Sequence, residues 1–265
     1  MSQGGDNPVV FVGAGPGDPE LITVAGRRAL ERAQLVVYAG SLVSLEMLSW
    51  CRSGTELVDS AGLDLDQIVE QLVRGWKEGL RVVRLHTGDP SLYGAVQEQF
   101  ARLKKEGIPF RIIPGVTAAF AAAACLGLEY TLPEITQSLI LTRAAGRTPV
   151  PEGEDLAALA AHGASLAIYL SVGQGEKVSR ALAGAYGEKA PVCVVYRASW
   201  PDQRILWTTA RDLPRDLAAS GISRQALILA GPAVAAVAPG ARGEAPVSRL
   251  YHRGFSHAFR RGEDS

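Results

Sequence analysis

Cysteine is scarce in this chain. The 265 residues hold three, Cys51, Cys125 and Cys193, far apart and each in or beside an apolar stretch. An odd number at such spacing is no disulfide framework and matches no CxxC motif, so the reading is buried thiols of a reducing compartment. Histidine is nearly as rare, with four in all and no HExxH, which argues against a metal held by protein ligands. An excess of charge is missing too: 27 Lys and Arg balance 27 Asp and Glu. Without a net charge or a Lys/Arg stripe, nothing draws the whole chain to nucleic acid or to an anionic membrane, although a local basic groove remains open. No apolar run reaches the roughly 20 residues of a membrane-spanning helix. Met1 to Asn7 is polar and lacks the charged-then-apolar pattern of a secretory signal. The expected location is the cytoplasm, and no sequence repeat is evident.

What is present is a chain 47% hydrophobic and 20% charged, enough for one large or two medium domains. Short apolar runs alternate with amphipathic stretches. Strands are expected at Val9–Val12, Leu35–Tyr38, Arg81–Leu85 and Phe110–Ile113. Helices are expected over Val24–Ala33 (capped by Thr23 or Asp18), Asp66–Trp76, about Gly94–Glu106 and Thr117–Leu126. That order predicts an α/β first domain over 8–115 with a mainly parallel sheet. A connecting stretch over 116–134 leads to a second α/β domain over 135–239. There, strands are expected at Ser138–Thr142, Leu166–Leu170, Val192–Tyr196, Ile205–Thr208 and Ala226–Leu229, with Asp212–Ala219 helical. Their weaker alternation predicts a mixed sheet. Residues 240–265 read as an extension outside the core.

Three glycine-rich turns follow strands of the first half: Gly13-Ala14-Gly15-Pro16-Gly17-Asp18-Pro19, Thr87-Gly88-Asp89-Pro90 and Pro114-Gly115-Val116-Thr117. Ligands of open α/β sheets bind beyond the carboxyl ends of the strands, and glycine admits tight turns and close backbone approach. The first turn is not a dinucleotide fingerprint. It reads GxGxG rather than GxGxxG, Pro16 removes an amide, and Tyr38 leads into Ala39-Gly40-Ser41 with no ribose-binding acid. Taken alone the glycines could merely make turns, and Asp89 could serve as a turn or helix N-cap, a reading compatible with a ligand contact.

The segments VGAGPGDPELIT, VVYAGSLV, RLHTGDPSLYGA, PGVTAAFAAAA, YTLPEITQSLILTR and ALILAGPAV occur in order from about Val9 to Val237. Together they resemble the tetrapyrrole methylase family, the class III S-adenosylmethionine methyltransferases. YAGSLV, HTGDPSLYGA, the Thr142–Pro149 pattern and the terminal LYHRGFSHAFR resemble the branch that methylates C11 of precorrin-4 or its cobalt form. The resemblance implies two α/β domains with S-adenosylmethionine in the cleft between them, usually in a homodimer. It implies cofactor contacts at Pro16, Gly88, Asp89, Leu92, Thr117 and Ala118, completed from the second domain by Leu170, Ala198 and Ala230. Relatives that methylate uroporphyrinogen resemble this chain but carry an Asp after the Val-Val-Tyr strand and a Lys after the next. Here Ala39 takes the first place, and Val58-Asp59-Ser60-Ala61 has no lysine, so no catalytic base is assigned.

That absence is chemically tolerable. A sulfonium methyl is a strong electrophile and a reduced tetrapyrrole offers an enamine-like carbon, so alignment and exclusion of water can carry the catalysis. His86 and Tyr93 flank the second turn as weak candidates for moving a proton, with His86 better read as a wall of the site. A polycarboxylate substrate calls for cationic donors, and Arg84, Arg143, Arg147 and Arg197 are the candidates. Trp200 and Trp207 could pack on a macrocycle, Trp207 reading rather as core. Methylation at another ring position and a non-catalytic tetrapyrrole carrier are the alternatives. No nucleic acid or membrane partner is expected.

Overall fold

A computed structural model describes residues 7–241, 248–251 and 253–261. The polar start at residues 1–6 and much of the expected extension (242–247, 252 and 262–265) lie outside the described residues. Two units divide the chain. The first comprises Met1–Ala121 together with Arg197–Gln203, and the second comprises Ala122–Tyr196 and Arg204–Ser265.

In the first unit, β1 (Val9–Gly13), β2 (Leu35–Tyr38), β3 (Glu56–Asp59), β4 (Val82–His86) and β5 (Phe110–Ile113) form one sheet in the order β3-β2-β4-β1-β5. Every pairing is parallel, so the mainly parallel expectation is met throughout. Both faces are covered, and that is why β1 and β2 read as unbroken apolar runs. Val10, Val12, Val36, Val83 and Leu85 pack with Leu30 of α1 (Val24–Arg32). Val9, Phe11, Leu35 and Val37 pack with Leu72 of α2 (Leu65–Lys77) and with Phe100 and Leu103 of α3 (Gln97–Lys105). The Thr23 hydroxyl caps α1 by accepting from the Gly26 N–H. A reciprocal Asp64–Gln67 box caps α2.

Two local features depart from expectation. Edge strand β3 has an exposed Glu56 and Asp59 and gave no apolar signal. Helix α3 begins at Gln97 rather than Gly94, because Tyr93 and Ala95 take φ of 55° and 47°, which no helix admits.

Helix α4 (Ala118–Leu126) spans the division between the units. The second unit holds β6 (Leu139–Arg143), β7 (Ser165–Tyr169), β8 (Pro191–Tyr196), β9 (Arg204–Thr209) and β10 (Ala226–Ala230), in the order β6-β7-β10-β8-β9. Only β6–β7 is parallel; β10 runs antiparallel to β7 and β8, and β8 to β9. The mixed sheet expected from the weak alternation is therefore found. Leu166, Ile168, Val192, Val194 and Ile228 of the sheet pack with Leu156 of α5 (Leu156–Ala160), with Val178 and Leu182 of α6 (Gly175–Tyr186) and with Leu213 of α7 (Leu213–Ser220). A short α8 (Pro232–Val237) follows Gly231, with proline in its first turn.

Candidate functional site

The carboxyl ends of the parallel strands gather the three glycine turns, and backbone bonds stitch them together. The Ala14 N–H donates to the His86 carbonyl at 2.7 Å, and Gly15 and Gly88 exchange both bonds at 3.2 and 2.7 Å. The third turn joins through Asp89, whose Oδ2 accepts from the Gly115 N–H at 2.8 Å. Oδ1 accepts from the Ser91 N–H and from its hydroxyl. Burial opposes ionisation of Asp89, but the hydrogen bonds from Ser91 and Gly115 outweigh it and hold the carboxyl below its ordinary value. Asp89 is thus a buckle between the second and third turns.

The glycines of this cradle differ in purpose. A Cβ on Gly115 would lie 2.2 Å from the Gly88 carbonyl oxygen and 2.8 Å from the Gly13 Cα, so Gly13 and Gly115 are small because backbone meets backbone. Gly88 is different. Its φ is +60°, and a Cβ there would meet only the Thr117 Cα, at 3.9 Å. The space before Gly88 is open, with half-buried Leu92 and Ala118 and buried Thr117 in the adjoining segments. Bare peptide groups with apolar neighbours suit the methionine and adenosine parts of a cofactor such as S-adenosylmethionine.

Residues 197–203 complete the first unit around the first turn. The Trp200 indole Nε1 donates to the Pro16 carbonyl at 2.9 Å. The Asp18 N–H donates to Ser199 Oγ at 3.0 Å, and the Ser199 N–H to Gln203 Oε1 at 2.7 Å. The Arg197 guanidinium lies over the Trp200 ring at 3.9 Å and pairs with Asp202. Pro16, expected beside the cofactor, is buried and has Trp200 on its carbonyl. Ala198, expected from the second domain, belongs to this segment and hence to the first unit.

The candidate acid/base groups separate clearly. His86 is 5% exposed, stacks on Phe11 with ring centroids 5.9 Å apart, and its Nε2 has no hydrogen-bond partner. Burial, and then the neighbouring Arg84 charge, push its pKa down to about 3, leaving a neutral imidazole against Phe11. Tyr93 is exposed on a left-handed backbone.

Arg84, expected to face substrate, lies instead in the interior at 4% exposure. Its guanidinium donates to the Val37 carbonyl, Ser60 Oγ and Gln99 Oε1 at 3.2, 3.0 and 3.3 Å. Among the described residues no carboxylate pairs with it, and burial lowers its pKa to about 10. These bonds tie β4 to β2, to the residue after β3 and to α3, a structural task. Sequence reading assigned no role to Asp59. It ends β3 at the same sheet edge and accepts from the Gly40 and Ala61 N–H groups at 3.0 and 2.8 Å. Its signal was the glycine at position 40, where a Cβ would lie 2.2 Å from the carboxylate.

In the second unit, Leu170 follows β7 at 69% exposure with φ 52°, an exposed apolar side chain on a costly backbone. Ser171 steadies this bend by accepting from the Ala144 N–H and donating to the Tyr169 carbonyl, at 2.8 and 2.6 Å. Ala230 is buried at the end of β10. Arg143 is committed to its own loop, donating to the Thr148 and Pro149 carbonyls at 3.1 and 2.6 Å. Arg147 is exposed, and no described residue pairs with it. Trp207 lies half-buried in β9.

All three thiols are free; Cys193 is buried and its pKa is raised to about 12 by desolvation, with a smaller effect from Cys125. A cavity of about 350 Å³ lies at the opposite end of the first sheet, rimmed by Arg28, Arg32, Arg81 and Arg111. None of the three glycine turns borders it. Among the described residues no cluster of metal-binding side chains occurs, and no helix is long and apolar enough to cross a membrane.

A parallel sheet whose carboxyl edge carries three stitched glycine turns makes the first unit an open α/β sheet, the class whose ligands bind beyond the strand ends. The chain matches the tetrapyrrole (corrin/porphyrin) methylases over residues 8–214 and belongs to that family. It is 49% identical over 255 residues to a precorrin-4 C(11)-methyltransferase of Pseudomonas aeruginosa, covering 96% of this chain and 99% of the relative. A solved cobalt precorrin-4 methyltransferase, described as a cobalamin biosynthetic enzyme, superposes with a TM-score of 0.83 at 47% identity, covering 86% of this chain and 95% of that one. A uroporphyrin-III C-methyl transferase from Thermus thermophilus, solved with S-adenosylhomocysteine, gives 0.72 at 28% identity, covering 92% and 99%.

Proposed function

We propose that the protein transfers the methyl group of S-adenosylmethionine to C11 of precorrin-4 or cobalt-precorrin-4 in cobalamin biosynthesis. The observation that carries this reading is the likeness, at 49% identity over 96% of the chain, to a precorrin-4 C(11)-methyltransferase, with 47% identity over 86% of it to a cobalt precorrin-4 methyltransferase. The open face of Gly88 supports it, because a donor bound there needs bare backbone.

S-adenosylmethionine, when bound, supplies an electrophilic sulfonium methyl and leaves as S-adenosylhomocysteine. The chain's own part is to hold and align. Peptide groups around Gly88 and Thr117 orient the donor, and Leu92 and Ala118 cover its apolar surface. Asp89 and Pro16 act at one remove, through the Gly115 amide and the Trp200 indole. Leu170, Ala198 and Ala230 are assigned the same cofactor on resemblance alone. Arg147 and Arg197 meet carboxylates of the macrocycle. Neutral His86 closes the wall behind the turn, and no side-chain base is required, because alignment supplies several kcal/mol of barrier reduction by order of magnitude. A homodimer is proposed on family grounds, and a reducing cytoplasm on the cysteine usage.

Incubation with labelled S-adenosylmethionine and a panel of metal-free and cobalt-bearing corrin precursors tests the reading. Label at C11 of precorrin-4 or its cobalt form, located by NMR, is expected; label at another ring carbon would refute the C11 assignment. Sedimentation as a 28.0 kDa species at micromolar concentration would refute the dimer.

A further inference from the structure

Gly17 sits in the first turn beside Pro16, which the resemblance assigns to the cofactor, yet its own surroundings point to another partner. Its φ is not positive, so the backbone does not call for glycine there. What calls for it is Trp200: a Cβ on Gly17 would lie 2.1 Å from the indole Cδ1 and 2.2 Å from Nε1. The indole also donates to the Pro16 carbonyl from 184 residues away in the chain. Ser199 takes the Asp18 N–H, so three successive residues of the turn are held by one short segment. That segment is itself braced. Arg197 lies over the ring and pairs with Asp202, and Arg197 and Ser199 hold left-handed φ of 47° and 69°, a strain that only surrounding contacts maintain. From Pro16 the path continues one residue back to Gly15, which is bonded both ways to Gly88.

We propose that residues 197–203 are a clamp on the first glycine turn and that Trp200 is a positioning residue for the cofactor. It seats on Gly17, fixes Pro16, and through the Gly15–Gly88 pair sets the turn on which the methyl donor lies. This rests on the proposed cofactor site. Gly17 is small to receive an indole, not to admit a ligand.

The test uses the full chain in five forms: wild type, Trp200→Phe, Trp200→Ala, Gly17→Ala and the Gly17→Ala/Trp200→Ala double variant. S-adenosylhomocysteine affinity is measured by calorimetry, thermal midpoint by circular dichroism, and KM for S-adenosylmethionine against kcat by turnover. Trp200→Phe keeps a ring on Gly17 but loses the bond to Pro16. The set turn is then only partly populated, and the ligand Kd should rise about three- to tenfold. The thermal midpoint should stay within about 2 °C, with KM raised and kcat retained. Gly17→Ala should lower both affinity and midpoint in the wild-type background and do little more once Trp200 is Ala. Unchanged affinity in Trp200→Phe, or additive effects in the double variant, overturns the proposal. A wild type that fails to bind S-adenosylhomocysteine overturns the functional reading and the positioning role together, while the coupling in midpoint still reports whether the indole seats on Gly17.

Discussion

Adding one methyl group at Gly115 should cost more stability than adding one at Gly88. The new Cβ would stand 2.2 Å from the Gly88 carbonyl oxygen, 2.8 Å from the Gly13 Cα and 2.9 Å from its carbonyl carbon. All three are backbone atoms, so no side chain can swing aside and the turns themselves must separate. Overpacking typically costs about 1–3 kcal/mol, and a clash made only with backbone belongs at the upper end. At roughly 2–4 °C per kcal/mol for a chain near this size, Gly115→Ala should lower the thermal midpoint by about 6–12 °C. The same separation would stretch the bond from the Gly115 N–H to Asp89 and carry the second turn with it. Gly88→Ala is the comparison. It meets no close atom and costs only the left-handed backbone, about 1–2 kcal/mol, but sets a methyl in the proposed path of the cofactor. Gly115→Ala should therefore be the less stable of the two. Gly88→Ala should lose more affinity for S-adenosylhomocysteine per degree of midpoint lost. Circular dichroism melts and calorimetry decide it. A Gly115→Ala midpoint within 2 °C of wild type would refute the backbone-contact argument.

Three further outcomes are expected. The folded-state pKa of His86, about 3, lies below the ordinary imidazole value, so its share of stability is present above about pH 6.5 and is lost as pH falls toward 3. His86→Phe should flatten the fall of thermal midpoint between pH 7 and 4, and parallel curves for variant and wild type would exclude the buried neutral imidazole. Arg84→Ala leaves Gln99, Ser60 and the Val37 carbonyl without their partner and should destabilise by about 2–4 kcal/mol. Exposed Arg147→Ala should leave the midpoint unchanged and raise the tetrapyrrole KM. Denaturant unfolding with steady-state kinetics separates the two, and the reverse pattern would return Arg84 to the substrate. Single-turnover methyl transfer should fall less than about 100-fold in Tyr93→Phe and Asp59→Asn, because a true general base contributes at least that much. A loss above about 1,000-fold with binding intact would show that one of them moves an essential proton.

The strands buried on both faces were legible because burial writes itself into composition: Val9–Val12 and Leu35–Tyr38 are continuous apolar runs in sequence and strands in the structure. Edge strand β3 was not legible, since half of its four residues are acidic and exposed. The turns after β1, β4 and β5 could be placed from their glycines, but not the reason for each glycine, which depends on what stands opposite. Gly13 faces Gly115, Gly17 faces Trp200, and Gly40 faces Asp59. Arg84 misled for the same reason. A charge near a strand end reads as a donor facing the ligand, and only the fold brings Gln99 and Ser60 to its guanidinium. Sequence shows what a residue can do with its chain neighbours, whereas the contacts that matter at this site join residues tens to nearly two hundred positions apart.

The discontinuity of the first unit also has a consequence for how the chain is made. Domains fold as units during synthesis, the N-terminal one first, and the sheet of the first unit is complete once Ile113 of β5 has emerged. Its last piece, Arg197–Gln203, follows only after most of the second unit has been translated. Until then the Pro16 carbonyl and the Asp18 amide face water instead of Trp200 and Ser199. On the proposed clamp, the nascent first unit waits with its leading glycine turn unset, and ligand competence should arrive no earlier than the emergence of Gln203, well after the first sheet closes. A fragment ending at Ala121 would keep the five parallel strands and lack the clamp.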